Sequence, residues 1–257
     1  MYLISAQGIS KSFPSPQSID GRLHVVEDFS LAIAEGELVT LFGPNGCGKT
    51  TILNLFAGTL LPDGGKVSWN ARETRSKEVG YVFQNYGDTL LPWRTVKANI
   101  AFPLEVRGDN GNDIDSKTAR VMSMFRLQEH ASKYVYQLSG GLKQLVAIAR
   151  STVYNPRLLL LDEPFSALDY STSRMLWTRF RDFWSDTNLT TIFVSHNIDE
   201  AVFLGDRVCV LSSRPTRIVA EIHVPFDEQR QLDILGTREF FEVRTQVLSA
   251  FEEGRSI

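Results

Sequence analysis

Residues 36–58, GELVTLFGPNGCGKTTILNLFAG, decide the fold. Leu38-Val39-Thr40-Leu41-Phe42 is a short apolar run with the length of a buried strand. It runs into Gly43-Pro44-Asn45-Gly46-Cys47-Gly48-Lys49-Thr50, which satisfies G-x-x-x-x-G-K-[ST] at every required position. From Thr51 to Ala57 the apolar spacing is that of a helix, and Gly58 stops it. A glycine-rich turn can match the bare pattern by chance; a strand before it and a helix after it make it a phosphate loop. Glycines let the backbone curl so that successive N–H groups point inward, and the helix N-terminus adds the positive end of its dipole. In such a loop Lys49 reaches the β- and γ-phosphates, and the Thr50 hydroxyl ligates Mg2+. The stretch predicts a nucleoside triphosphate site.

Upstream, residues 2–9 read as an edge strand followed by Lys11-Ser12-Phe13, residues 14–21 as a polar loop, and residues 25–33 as a second strand. Downstream, Pro62-Asp63-Gly64-Gly65 is a turn, and residues 66–70 and 79–83 are strands, the latter closed by Gln84. Residues 85–135 read as a mainly helical insertion, with an apolar cluster at Leu90, Leu91, Pro92, Trp93 and Val96. Within it, residues 108–112 read as a loop and residues 116–127 as a helix with Val121, Met124 and Phe125 on one face. Leu138-Ser139-Gly140-Gly141 opens a further helix carrying Leu142, Leu145, Val146 and Ala149, ended by Pro156. Four leucines at 158–161 are too few for a core helix and read as a buried strand ending at Asp162. Strands at 190–194 and 207–211 flank a short helix at 198–204. Residues 217–224 alternate weakly, and 237–251 look like a terminal amphipathic helix. This alternation predicts an α/β fold, a P-loop NTPase core whose mostly parallel sheet is flanked by helices. An N-terminal antiparallel β portion and the helical insertion complete it.

Composition narrows the function classes. A 43% hydrophobic content allows a sizeable core, and 22% charged residues is ordinary for a soluble protein. The net charge of −3, with no lysine- or arginine-rich run, offers no footprint for nucleic acid. Cys47 and Cys209 read as reduced thiols, since a disulfide inside the phosphate loop would obstruct it. Residues 1–5 have neither the basic segment nor the apolar stretch of a secretory leader, and no apolar run approaches the roughly 18 residues of a membrane span. A membrane role would need a docked partner.

Further motifs gather around the phosphate loop. Asp162 and Glu163 follow a buried strand, where α/β proteins place ligand-binding carboxylates. Asp162 is then expected near Mg2+, and Glu163 as the carboxylate that polarises attacking water. His196, at the end of the strand 190–194, can donate a hydrogen bond to a γ-phosphate, and Gln84 can contact Mg2+ or its water. Each of these alone would be a surface acid, a core histidine or a polar cap. Ser139-Gly140-Gly141 opening a helix forms a second anion site without its own lysine, or a plain N-cap.

Taken together, Gly43–Thr50, Gln84, Leu138-Ser139-Gly140-Gly141, Leu161-Asp162-Glu163-Pro164, Ser166-Ala167-Leu168-Asp169 and His196 resemble the ATP-binding subunit of an ABC transporter. The cluster at 90–96 and the segment 208–215, with Arg214-Pro215, resemble the nitrate/sulfonate/taurine/bicarbonate importer group. The resemblance implies one ABC ATPase domain over 1–257: a core with β portion at 1–84 and 155–225, a helical subdomain at 85–154, and a short tail at 226–257. It implies two subunits, identical or not, sandwiching two ATP molecules. Each site would join one phosphate loop to Ser139, Gly140, Gly141 and Gln144 of the other subunit, with Asp169 coupling the sites and Phe13 stacking on adenine. It further implies Mg2+ as cofactor, transmembrane permease subunits, an upstream solute-binding protein, and a peripheral place on the cytoplasmic side of the membrane. Leu145 departs from the family's usual arginine. The apolar cluster at 90–96 would dock the permease, or else fill the core of the insertion. Two rivals stand beside this reading: a soluble ABC ATPase acting on DNA or ribosomes, and a nucleotide-gated scaffold that does not hydrolyse.

Overall fold

The chain begins with two long strands, β1 (Tyr2–Pro14) and β2 (Arg22–Ala34), before β3 (Leu38–Phe42) and helix α1 (Lys49–Ala57). Strands β4 (Gly64–Trp69) and β5 (Val79–Val82) precede a helical stretch of α2 (Tyr86–Thr89), α3 (Val96–Arg107), α4 (Gly111–Met124) and α5 (Gly140–Thr152). Then come β6 (Leu158–Asp162), α6 (Tyr170–Thr187), β7 (Thr190–Ser195), α7 (Ile198–Leu204), β8 (Arg207–Leu211), β9 (Ile218–His223) and α8 (Arg238–Arg255). This computed structural model describes residues 1–18, 21–70, 78–166, 168–227 and 229–255. Ile19 and Asp20 of the predicted loop, and Ala167, lie outside the described residues.

A six-stranded sheet runs β5-β6-β7-β3-β8-β9, parallel except for β9, and a three-stranded antiparallel sheet runs β2-β1-β4. The central parallel strands β3, β6 and β7 are buried along their whole length and mostly apolar because both of their faces are covered. Successive residues on β3 and β6 point to opposite sides: Leu38, Phe42, Leu159 and Leu161 pack with the helical layer, whereas Val39, Leu41, Leu158 and Leu160 pack with α1 and the antiparallel sheet. Helix α1 ends where the sequence says, with Gly58 in the left-handed region.

Four readings need correction. The strand expected at an edge, β1, is the centre of its sheet and runs on to Pro14. Its alternation shows that one face is covered and says nothing about how many neighbours pair with it. The loop read at 108–112 ends earlier, since Asn110 caps α4 by accepting from Asp113 N, and that helix stops before Leu127. Helix α6 has no counterpart in the sequence reading at all. Finally, the apolar cluster at 90–96 is two things: Leu90 and Val96 are fully enclosed in the core of the insertion, while Pro92 and Trp93 face outward. Leu145 is also part of the core, so at the arginine position this chain substitutes packing for charge.

Candidate functional site

The strand order brings the carboxyl ends of β5, β6, β7 and β3 side by side, the edge at which open α/β sheets hold ligands. Gln84 follows β5, Asp162 and Glu163 end β6, His196 follows β7, and the phosphate loop follows β3. Register keeps these ends level: Asp162 pairs with Val194, and Phe42 with Ser195.

Glu163 sits at the centre. Its Oε1 lies 3.3 Å from Lys49 Nζ and its Oε2 2.8 Å from His196 Nδ1. Lys49 is enclosed, and its Nζ also donates to the carbonyls of Gly43 and Pro44 at 3.0 Å each. Glu163 adopts φ 47°, a conformation that costs a residue with a Cβ about 1–3 kcal/mol and persists only where its surroundings enforce it. Here its N–H donates to Val194 O at 3.1 Å. Beside it, Thr50 Oγ1 donates to Asp162 Oδ2 at 2.7 Å. Burial raises the Asp162 carboxyl above its usual range, opposed by the Thr50 hydrogen bond and reinforced by Glu163.

A cavity of about 600 Å³ opens over Lys49, Thr50 and Glu163, lined also by Phe13, Asn45, Gly46, Gly48, Thr51 and Gln84; Asp162 and His196 stand behind its wall, touching it only through Thr50 and Glu163. The N-terminus of α1 faces it with no side-chain cap, as an anion cradle requires. Gly48 is essential to the curl: at φ 128° it has left the range of L side chains, and a Cβ there would meet Val25 Cγ1 at 2.7 Å. Gly43, Pro44 and Cys47 are not on the cavity wall. The first two lend carbonyls to Lys49, and the Cys47 side chain is buried in the core beneath. Two lining residues, Val25 and Arg214, escaped the sequence reading as site residues. Nothing near Val25 in the sequence could have signalled it, because β2 is brought there only by the sheet.

The remaining candidates lie elsewhere. Ser139 is the N-cap of α5, its Oγ accepting from Leu142 N at 3.4 Å, and Ser139 and Gly140 are exposed, away from the cavity wall. Gly141 is needed for packing, since a Cβ would meet Thr172 Cγ2 at 2.7 Å. Gln144 does not share that exposed surface: it is fully buried, its amide atoms without partners among the described residues. Asp169 is exposed and caps α6, accepting from Ser171 Oγ and Thr172 N, and these bonds hold its carboxyl well below the usual range.

Behind His196 lies a buried carboxyl. Trp177 Nε1 donates to Glu200 Oε1 at 2.9 Å, and Ser195 Oγ donates to Oε2. Burial, seconded by Glu163, pushes the Glu200 carboxyl up to about 7 against these two hydrogen bonds. An unfolded glutamate titrates near about 4.3, so the folded state holds the extra proton between the two values. The resulting stability is complete below the lower value and lost as pH rises through about 7. The thermal midpoint of the wild type is therefore expected to fall more between pH 6 and 8.5 than that of Glu200→Gln. Equal slopes in a thermal melt series would contradict this.

The description of one protein-family model, ABC transporter, fits residues 26–166, more than half of the chain. The chain belongs to the ABC transporter family. This ABC protein is 35% identical over 251 residues to the taurine import ATP-binding protein of Jannaschia sp. strain CCS1, covering 95% of this chain and 92% of that one. It is 37% identical over 232 residues to the aliphatic sulfonates import ATP-binding protein of Bacillus licheniformis, covering 89% and 87%. Among solved structures, a dimeric ATP-binding cassette in a post-hydrolysis state with ADP and Pi superposes with a TM-score of 0.74 at 26% identity, covering 88% of this chain and 100% of that one. The ABC fold thus accounts for both sheets and the helical stretch between β5 and β6.

Proposed function

We propose that this chain is the ATP-hydrolysing subunit of an ABC importer, seated on the cytoplasmic face of a membrane and driving uptake of a small anion. The observation that carries the reading is Glu163, held in a strained backbone between Lys49 and His196 at the floor of the cavity. Glu163 orients and polarises the attacking water; Lys49 and His196 hold the γ-phosphate, and the α1 N-terminus cradles the phosphates. Phe13, on the cavity wall, stacks on the adenine. A divalent cation fits here on the chemistry of the donors: Thr50 and Asp162 present hard oxygens beside each other, and Gln84 lines the same cavity. Mg2+ held by these three would neutralise charge on the phosphates. The direct test is phosphate release from Mg-ATP by the wild type against Lys49→Ala, which should neither bind nor hydrolyse.

Ser139, Gly140 and Asp169, exposed and apart from the cavity, complete the site of a second ATPase subunit in trans. Residues 1–84 and 155–225 then serve as the catalytic core, 85–154 as the helical subdomain and 226–257 as the tail. The names of the relatives support sulfonates and related small anions as solutes, delivered by a solute-binding protein to permease subunits. Neither rival gains support: the net charge is −3, and the 2.8 Å contact between Glu163 and His196 favours hydrolysis over a silent scaffold.

Among the described residues no helix is long and apolar enough to cross a membrane, so transport needs a docked permease. A groove of about 840 Å³ between α3 and α5, lined by Thr89, Phe102, Val106, Arg150 and Tyr154 among others, starts five residues after Gln84 and suits a permease helix. Trp93, 71% exposed, belongs to the same docking face. Trp93→Ser is expected to leave the melting temperature unchanged and to abolish co-purification with the co-expressed permease. Leu90→Ser, by contrast, opens a cavity and buries a hydroxyl, costing about 2–5 kcal/mol of stability. Normal assembly and transport by Trp93→Ser would remove it from the docking face.

A further inference from the structure

The loop between β8 and β9 is fastened to the phosphate loop. Thr216 Oγ1 donates to the Cys47 carbonyl, Thr216 N donates to Val25 O at 2.8 Å, and Thr216 O accepts from Glu27 N at 3.2 Å. Ser212 Oγ closes the loop from the other side by donating to Pro215 O at 3.3 Å and accepting from Arg217 N at 3.0 Å. These bonds tie phosphate loop, β2 and residues 212–217 into one unit. Two arginines project from it. Arg217 pairs with Glu27. Arg214 is exposed and has no ion pair or hydrogen bond among the described residues, yet it lines the nucleotide cavity. A Cβ placed on Gly46 would stand 3.9 Å from Arg214 Nη2, so the guanidinium lies directly over the crest of the phosphate loop. The other cation on the cavity wall, Lys49, is already shared with Glu163.

We propose that Arg214 is a nucleotide-binding residue, a second cation that grips the polyphosphate of the bound nucleotide at the rim of the cavity. The proposal rests on the reading of this cavity as a nucleotide site. A guanidinium presents a planar fork that matches two phosphate oxygens at once, and its charge is permanent. Because Arg214 touches neither Glu163 nor His196, it acts on binding and leaves the chemical step alone.

The test uses the full chain as wild type, Arg214→Ala, Arg214→Lys and Lys49→Ala, with affinities for ATP, ADP and adenosine measured by calorimetry and steady-state kinetics for ATP. Arg214→Ala should weaken ATP and ADP by about tenfold, as expected for loss of one charge-assisted contact in partly screened surroundings. Adenosine affinity and kcat should stay within about twofold, KM should rise, and Arg214→Lys should recover part of the loss. Its side chain makes no bond, so the melting temperature should not move. ATP affinity within twofold of wild type in Arg214→Ala, or an equal loss for adenosine, would overturn the proposal. If wild type binds ATP and only Lys49→Ala loses it, Arg214 alone is misassigned; if wild type binds no ATP, the nucleotide reading falls with it.

Discussion

Glu163→Gln is expected to lower ATP turnover by about two orders of magnitude or more, the usual consequence of removing a catalytic acid–base group. The amide keeps the shape of the carboxylate and can still meet His196, but it no longer carries the charge that orients water. Affinity for ATP should hold or rise, because Lys49, now 3.3 Å from Glu163 Oε1, loses a competitor to the phosphates. Phosphate release and nucleotide titration on the same preparation check both halves. Turnover within a few-fold of wild type would sink the assignment of Glu163.

The second large effect is expected at Ser139. Ser139→Arg should abolish hydrolysis while each isolated subunit still binds ATP through Lys49 and its loop. Ser139 is exposed and its one local duty is to cap α5, so the substitution costs the helix about 1 kcal/mol and leaves the fold intact. On the proposed arrangement, what it destroys is an anion site that serves the partner's cavity and not that of its own chain. If ATP affinity of the single subunit collapses as well, Ser139 belongs to the same-chain site, and the shared arrangement is wrong.

Much of the architecture was legible because it is written in local patterns. The phosphate loop, its strand and its helix are contiguous, so spacing alone placed Gly43 to Gly58. The strand ends at Gln84, Asp162 and His196 were legible as well, and the sheet order made neighbours of them. What local patterns could not give was pairing. Nothing within residues 2–9 says that β4 will return to cover the free edge of β1. The miss at α6 is different in kind: Leu176, Trp177, Phe180, Phe183 and Trp184 recur with helical spacing between an Asp169 cap and Asn188, and all five are buried. That signal lies within the helix's own sequence and needs no partner to be seen. Gln144 and Leu90 mark a further limit, since a polar residue next to a motif and an apolar residue in a cluster look alike whether they face a partner or the core. Arg214 shows the converse, a residue singled out by pattern whose position over the phosphate loop only the fold reveals.

The central claim, hydrolysis at a site shared between two subunits, is tested most directly by mixing two inactive variants and measuring phosphate release. Lys49→Ala lacks a working phosphate loop but keeps Ser139, and Ser139→Arg keeps Lys49 but spoils the trans contact. Each alone should be silent. In a mixed pair the Lys49 of one chain meets the Ser139 of the other, so one complete site forms and release should return to a substantial fraction of the wild-type rate. A mixture that stays as silent as its components, with both variants folded, would contradict the account.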